Sequence, residues 1–291
     1  MKWEGHRQSE RVKDLRGGSG RPRVGGRGLG LGGVVIALVA AWIFGVNPMT
    51  VLGLMGGGEG GAPGAQSEPG RPLAAQTESE RFVATVLADT EDVWAAYFKT
   101  RQPAVGYAPP TLALFREPVQ TACGRGEAAM GPFYCPGDEK VYLDLGFFET
   151  LQSRLGAPGD FAQAYVIAHE VGHHLQQRLG ISAKVQQARQ RVSEAQGNQL
   201  SVRLELQADC FAGVWAHHSQ QGKGWLEQGD VEEALNAASR IGDDVLQKAA
   251  RGVVVPESFT HGSAAQRQRW FRAGLQQGAL AACDTFAART L

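Results

Sequence analysis

Residues 168–176 read AHEVGHHLQ, inside the longer run DFAQAYVIAHEVGHHLQQRLG of residues 160–180. Apolar positions recur there at helical spacing, Asp160 is a natural N-cap and Gly180 closes the run. A helix is therefore predicted from Phe161 to Leu179. His169 and His173 stand four positions apart, which puts both imidazoles on one helical face, within reach of one metal ion. Glu170, beside His169, can project toward a water on that ion and act as general base. His174 is turned about 100 degrees from His173, so it reads as a surface or supporting histidine. Catalytic zinc takes three protein ligands and keeps one position open, so a third ligand must come from elsewhere.

A second long helix, predicted from about Leu200 to His218, contains RLELQADCFAGVWA at residues 203–216. Glu205 and Asp209 are again four apart and share a face. The segment resembles the E-x-x-A-D run that follows H-E-x-x-H in gluzincin-type peptidases. That resemblance implies Glu205 as third ligand and Asp209 as hydrogen-bond partner of a ligand histidine. The chemistry agrees, because a metal-bound His usually gives its other N–H to a carboxylate. Ala212 and Gly213 are expected to let the two helices approach closely. Further on, SFTHGSAAQRQRW at 258–270 places His261 ahead of a helix predicted over Ala264–Gln277. Some gluzincins carry a similar T-H-P segment with an Arg at the offset of Arg267, although here Gly262 replaces the Pro. The resemblance implies His261 as oxyanion stabiliser and Arg267 as orienting it or a carboxylate. A helix-capping His with a surface Arg is the alternative.

The rest of the chain reads as α+β, mostly α. A helix is predicted over Ser79–Lys99 and a strand around Thr111–Phe115. GPFYCPGDEKVYLDL (131–145) reads as a hairpin turning at Pro136, Gly137 and Asp138. Ser182–Gln196 is an amphipathic helix or a mobile flap. Asp230 with Glu233 forms a D-x-x-E capping pattern for another helix. Of the four cysteines, Cys123 and Cys135 flank a short Gly-rich loop and are expected to pair. That leaves Cys210 with Cys283, or Cys210 as a buried thiol in an apolar helix.

The 291 residues carry no net charge, and 39 glycines fall heavily in the first seventy positions. Residues 1–28 are rich in Lys and Arg and poor in apolar side chains, and read as a disordered basic tail. No aromatic residue is interleaved with them except Trp3, so a nucleic-acid partner is not expected. LGLGGVVIALVAAWIFGV (29–46) has no charged residue and is long enough to cross a bilayer as a helix. A cleaved signal peptide is the alternative. The expected organisation is a tail (1–28), an anchor (29–55), a Gly/Pro-rich linker (56–78) and a folded domain (79–291). The positive-inside rule then puts the N-terminus in the cytoplasm and the domain outside the inner membrane, where disulfides persist.

Taken together, AHEVGHHLQ, ELQADCFAGVWA and FTHGSAAQR resemble the bacterial neutral zinc metallopeptidase family over roughly residues 79–291. The resemblance implies a zincin-like domain with a small sheet, a Zn2+ cofactor and endopeptidase action on peptides or proteins. In zincins a strand edge beside the metal helix receives the substrate backbone, and Val141–Asp144 is the expected strand. A zinc hydrolase of other substrates and a catalytically silent tethered binding module are the alternatives.

Overall fold

The computed structural model describes residues 1–17, 70–74, 77–102, 104–128 and 131–291. Its strands are short: β1 (Val12–Asp14), β2 (Arg71–Pro72), β3 (Thr111–Leu114), β4 (Val119–Thr121), β5 (Gly124–Gly126), β6 (Phe133–Cys135) and β7 (Lys140–Leu143). Its helices are α1 (Glu78–Arg101), α2 (Gly146–Ser153), α3 (Asp160–Arg178), α4 (Ile181–Arg189), α5 (Glu194–Lys223), α6 (Asp230–Arg240), α7 (Asp243–Arg251) and α8 (Ala264–Gln277). The α+β expectation holds, with helices dominant.

The main sheet runs β2-β1-β3-β7-β6, and β4 with β5 forms a separate ribbon. The β6–β7 hairpin is antiparallel, whereas β3 pairs in parallel with both β7 and β1. Successive residues of the central strands are buried on both faces, as Leu112, Ala113 and Leu114 and then Val141, Tyr142 and Leu143 show. The expected substrate strand is therefore corrected. β7, which holds Val141, has neighbours on both sides, and the edge strand next to it is β6.

Helix boundaries follow from local chemistry. Thr77 with Glu80, Ser193 with Gln196 and Ser263 with Gln266 make capping boxes that start α1, α5 and α8. The Ser193 cap starts α5 at Glu194 rather than near Leu200. The 182–196 stretch is thus α4, a turn and the first turn of α5. Asp160 does not cap α3. Its carboxylate accepts from the Met1 amine at 2.9 Å, and Glu233 Oε2 receives the Phe161 N–H at 3.1 Å. Asp230 likewise lies just inside α6, whose N-cap is Gly229.

The close approach expected of Gly213 is made to a different helix. A Cβ at Gly213 would overlap the Phe271 carbonyl of α8, and one at Gly274 would overlap the Cys210 carbonyl of α5. Where α3 meets α5, Gly172 faces Ala208. A Cβ at Gly172 would lie 3.0 Å from the Ala208 carbonyl oxygen.

The disordered tail is corrected for residues 1–17. Val12 is 1% exposed and β1 lies inside the sheet between β2 and β3. Ser9 N–H donates to Ala84 O at 2.9 Å, and Lys2 N–H to Trp225 O at 2.8 Å. Two of the cations that mark this segment as a tail have acids far along the chain: Arg7 meets Glu91 and Asp92, and Arg16 meets Glu80 besides its neighbour Asp14. Composition counts those charges but cannot see partners that lie far along the chain.

The expected anchor, and the linker up to residue 69, lie outside the described residues. Among the described residues no helix is long and apolar enough to cross a membrane. Residues on both flanks of 29–46 pair in one sheet, Asp14 opposite Arg71. That pairing is at odds with a single crossing between the two strands, and the expected crossing itself falls outside the described residues.

Candidate metal centre

The tight α3–α5 contact at Gly172 and Ala208 brings three side chains to one point. His169 Nε2 lies 3.2 Å from Glu205 Oε2, and His173 Nε2 lies 3.5 Å from Glu205 Oε1. The ligand atoms of the three residues all fall within 4.8 Å of one another. The two rings are perpendicular, with centroids 4.8 Å apart. Both imidazoles turn Nε2 inward because Nδ1 is engaged elsewhere. His169 Nδ1 donates to Asp209 Oδ1 at 2.8 Å, and His173 Nδ1 to Gln176 Oε1 at 2.9 Å.

Asp209 is fully buried and makes more than one bond. Arg267 holds it with two bonds of 2.9 Å, and the Tyr165 hydroxyl donates to Oδ1. Of the two roles the resemblance gave Arg267, orienting a carboxylate is the one its bonds serve. Burial works to raise the Asp209 carboxyl, but the Arg267 and His169 charges hold it below the usual range. Burial likewise works against charge on Glu205, and His173 and His169 keep it well below the carboxylate range. Burial depresses His169, yet Asp209 and Glu205 outweigh it and push the imidazole up to about 10. The cluster therefore favours positive charge at its centre. Two nitrogens and a carboxylate, each nitrogen fixed by its ring partner, fit a zinc ion in type and number.

Glu170 is 8% exposed and stands outside this set of three. Burial raises its carboxyl above the usual range, against the pull of His173 and His169. His261 faces the same site electrostatically: burial lowers it, while Asp243 and Glu205 raise it further. Its loop is wrapped around Asp243. One carboxylate oxygen, Oδ2, receives the backbone N–H groups of Thr260, His261 and Gly262 at 2.8, 2.6 and 2.9 Å. The other lies 3.3 Å from His261 Nδ1. Gly262 has φ of +94°, which proline cannot adopt, and gives an N–H that proline lacks. That explains the departure from T-H-P.

His174 is not at the surface. It is fully buried, with Nε2 donating to Ala108 O at 2.7 Å and Nδ1 bonded to the Tyr134 hydroxyl at 3.0 Å. The turn of the helix points it at the sheet, where it ties α3 to β6. Tyr165, Gln176 and Asp243 are absent from the sequence reading. Tyr165 and Gln176 had a usable signal, standing four before His169 and three after His173 on the same helix. Asp243 had none. The cysteines pair as Cys123–Cys135 and Cys210–Cys283. A second acidic group, Asp160, Asp230 and Glu233, adjoins the Met1 amine, which Asp160, Glu227 and Asp230 hold at 2.9–3.4 Å.

The chain is similar to the Escherichia coli K12 protein YpfJ, at 48% identity over 98% of this chain and 99% of that one. It is 42% identical to the Mycobacterium tuberculosis H37Rv protein Rv2575, over 74% of each. Neither name states an activity. No solved structure matches. The sequence matches the family described as "Putative neutral zinc metallopeptidase" over residues 1–286. The match takes in the N-terminal segment that the sheet also claims, and the chain belongs to that family.

Proposed function

We propose that the chain is a zinc-dependent endopeptidase acting on peptide or protein substrates, with zinc held by His169, His173 and Glu205. One observation carries the reading: two imidazole Nε2 atoms and a carboxylate converge beside a buried carboxyl, Glu170, that is not among the three. A zinc ion there supplies Lewis-acid activation of water and of the scissile carbonyl. Glu170 takes the proton of the attacking water and passes it to the leaving amine. Its raised pKa suits a group that must do both. His261, fixed through Nδ1 by Asp243, has Nε2 free to donate to the developing oxyanion. The open edge of β6 offers backbone groups to an extended substrate, and the Tyr134–His174 bond fixes that edge against the metal helix.

A tethered module that only binds partners has no use for a base, so Glu170 favours the enzyme. Glu170→Gln is expected to keep zinc and lose turnover on a peptide library. Wild-type activity is expected to fall with decreasing pH from a point above the ordinary carboxylate range, as Glu170 takes up a proton. Turnover by Glu170→Gln removes Glu170 from this role.

We also propose that residues 29–46 contact lipid while both flanks stay on one side of it. Cysteines placed singly at the exposed Gln8 and Glu257 are expected to react alike with an impermeant maleimide in intact cells. Opposite labelling of the two contradicts the same-side arrangement.

A further inference from the structure

We propose that Gln176 is the positioning residue of ligand His173, and that through Gln207 it ties the metal site to the Cys283 backbone. The inference rests on the His169–His173–Glu205 ligand set proposed above. The two histidines are supported differently. His169 leans on a carboxylate, Asp209, itself neutralised by Arg267. His173 leans on a neutral amide, Gln176, which is fully buried.

The amide's orientation is fixed by its other bonds. Gln176 Nε2 donates to Leu204 O at 2.6 Å and to Gln207 Oε1 at 3.3 Å. Flipping the amide would set its oxygen against the Leu204 carbonyl, two acceptors facing each other. Gln176 Oε1 must therefore face His173, and an amide oxygen only accepts. His173 accordingly carries a proton on Nδ1, which leaves Nε2, on the side of Glu205, as the nitrogen a metal would take.

Leu204 immediately precedes Glu205, so the amide that orients one ligand also holds the backbone of the next, across the α3–α5 junction. Gln207 continues the chain of bonds, its Nε2 donating to Cys283 O at 3.0 Å. That carbonyl is itself anchored, since Cys283 is bonded to Cys210 and Thr285 Oγ1 donates to Arg203 O at 2.6 Å. Both amides are buried, at 0% and 5% exposure, where a misdirected polar group has no water to turn to.

The test compares full-length wild type, Gln176→Met and Gln207→Leu. Zinc affinity is measured by chelator competition, and the site is read from the visible spectrum of the cobalt-substituted protein. Long-range nitrogen–proton NMR of the zinc-loaded imidazoles reports the tautomer, and thermal unfolding of the metal-free proteins checks folding. Gln176→Met is expected to weaken zinc about 10–100-fold, shift the cobalt bands and lose the protected His173 Nδ1 proton. Gln207→Leu is expected to give a smaller loss in the same direction, and it carries the test if Gln176→Met does not fold. Wild-type zinc affinity and an unchanged cobalt spectrum in folded variants overturn this inference alone. Absence of zinc binding by the wild type overturns the ligand set as well.

Discussion

The helices that carry the proposed ligands and the sheet edge of β6 form two walls that are held together in different ways. The helical wall is redundant. α5 is 30 residues long and buried throughout 206–216, and Asp209, Arg267, Tyr165 and His169 bond to one another behind the metal position. Its disulfide, Cys210–Cys283, is wholly buried. The sheet wall is thin. β6 has three residues, and its end is stapled by Cys123–Cys135, of which Cys123 is exposed. The difference matches what each wall has to do. Ligand geometry is fixed many times over, while the edge proposed to meet substrate rests on a hairpin, the Tyr134–His174 bond and one staple.

Breaking the helical wall should have the largest effect. Arg267→Met strands the buried Asp209 charge, and a loss of about 3–5 kcal/mol is expected. Urea unfolding of the metal-free protein measures it, and a near-neutral result would mean that Asp209 is not held by charge pairing. The disulfides sharpen the contrast. Cys210 and Cys283 close a span of 73 residues, and their joint replacement by Ala should cost about 4 kcal/mol. Cys123 and Cys135 close only 12, and their replacement should cost about 3 kcal/mol at most. The second change should raise KM for peptides and leave zinc affinity unaltered, which separates the walls by function as well as by energy. A zinc affinity that falls with the Cys123–Cys135 pair would dissolve the distinction.

The helical wall was also the one legible in the sequence. A metal site on helices leaves a short-range signature, because one turn brings i and i+4 together, and His169, His173, Glu205 and Asp209 all obey it. Gln176 and Tyr165 follow the same geometry, three after His173 and four before His169 on the metal helix. Asp243 reaches His261 by crossing from another helix, so no spacing announces it. The sheet wall hid for a related reason. Three-residue strands such as β1 carry too little alternation to read, and β1 pairs with a strand 100 residues onward. Arg7 and Arg16 beside it looked solvated because Glu80, Glu91 and Asp92, which pair with them, lie on α1. The hairpin could be read since both its strands and its turn are contiguous. Which strand is the edge depends on the pairing of β3 with β7, a long-range fact.

His169, His173 and Glu205 are proposed to form a zinc site. The most direct measurement is the metal content, by elemental analysis, of the purified full-length chain and of Glu205→Ala. The full chain is needed because β1, Val12–Asp14, is part of the sheet. One zinc per wild-type chain is expected, lost or greatly reduced in a folded Glu205→Ala. A folded wild type that takes up no zinc when it is supplied, or a variant that keeps it undiminished, would contradict it.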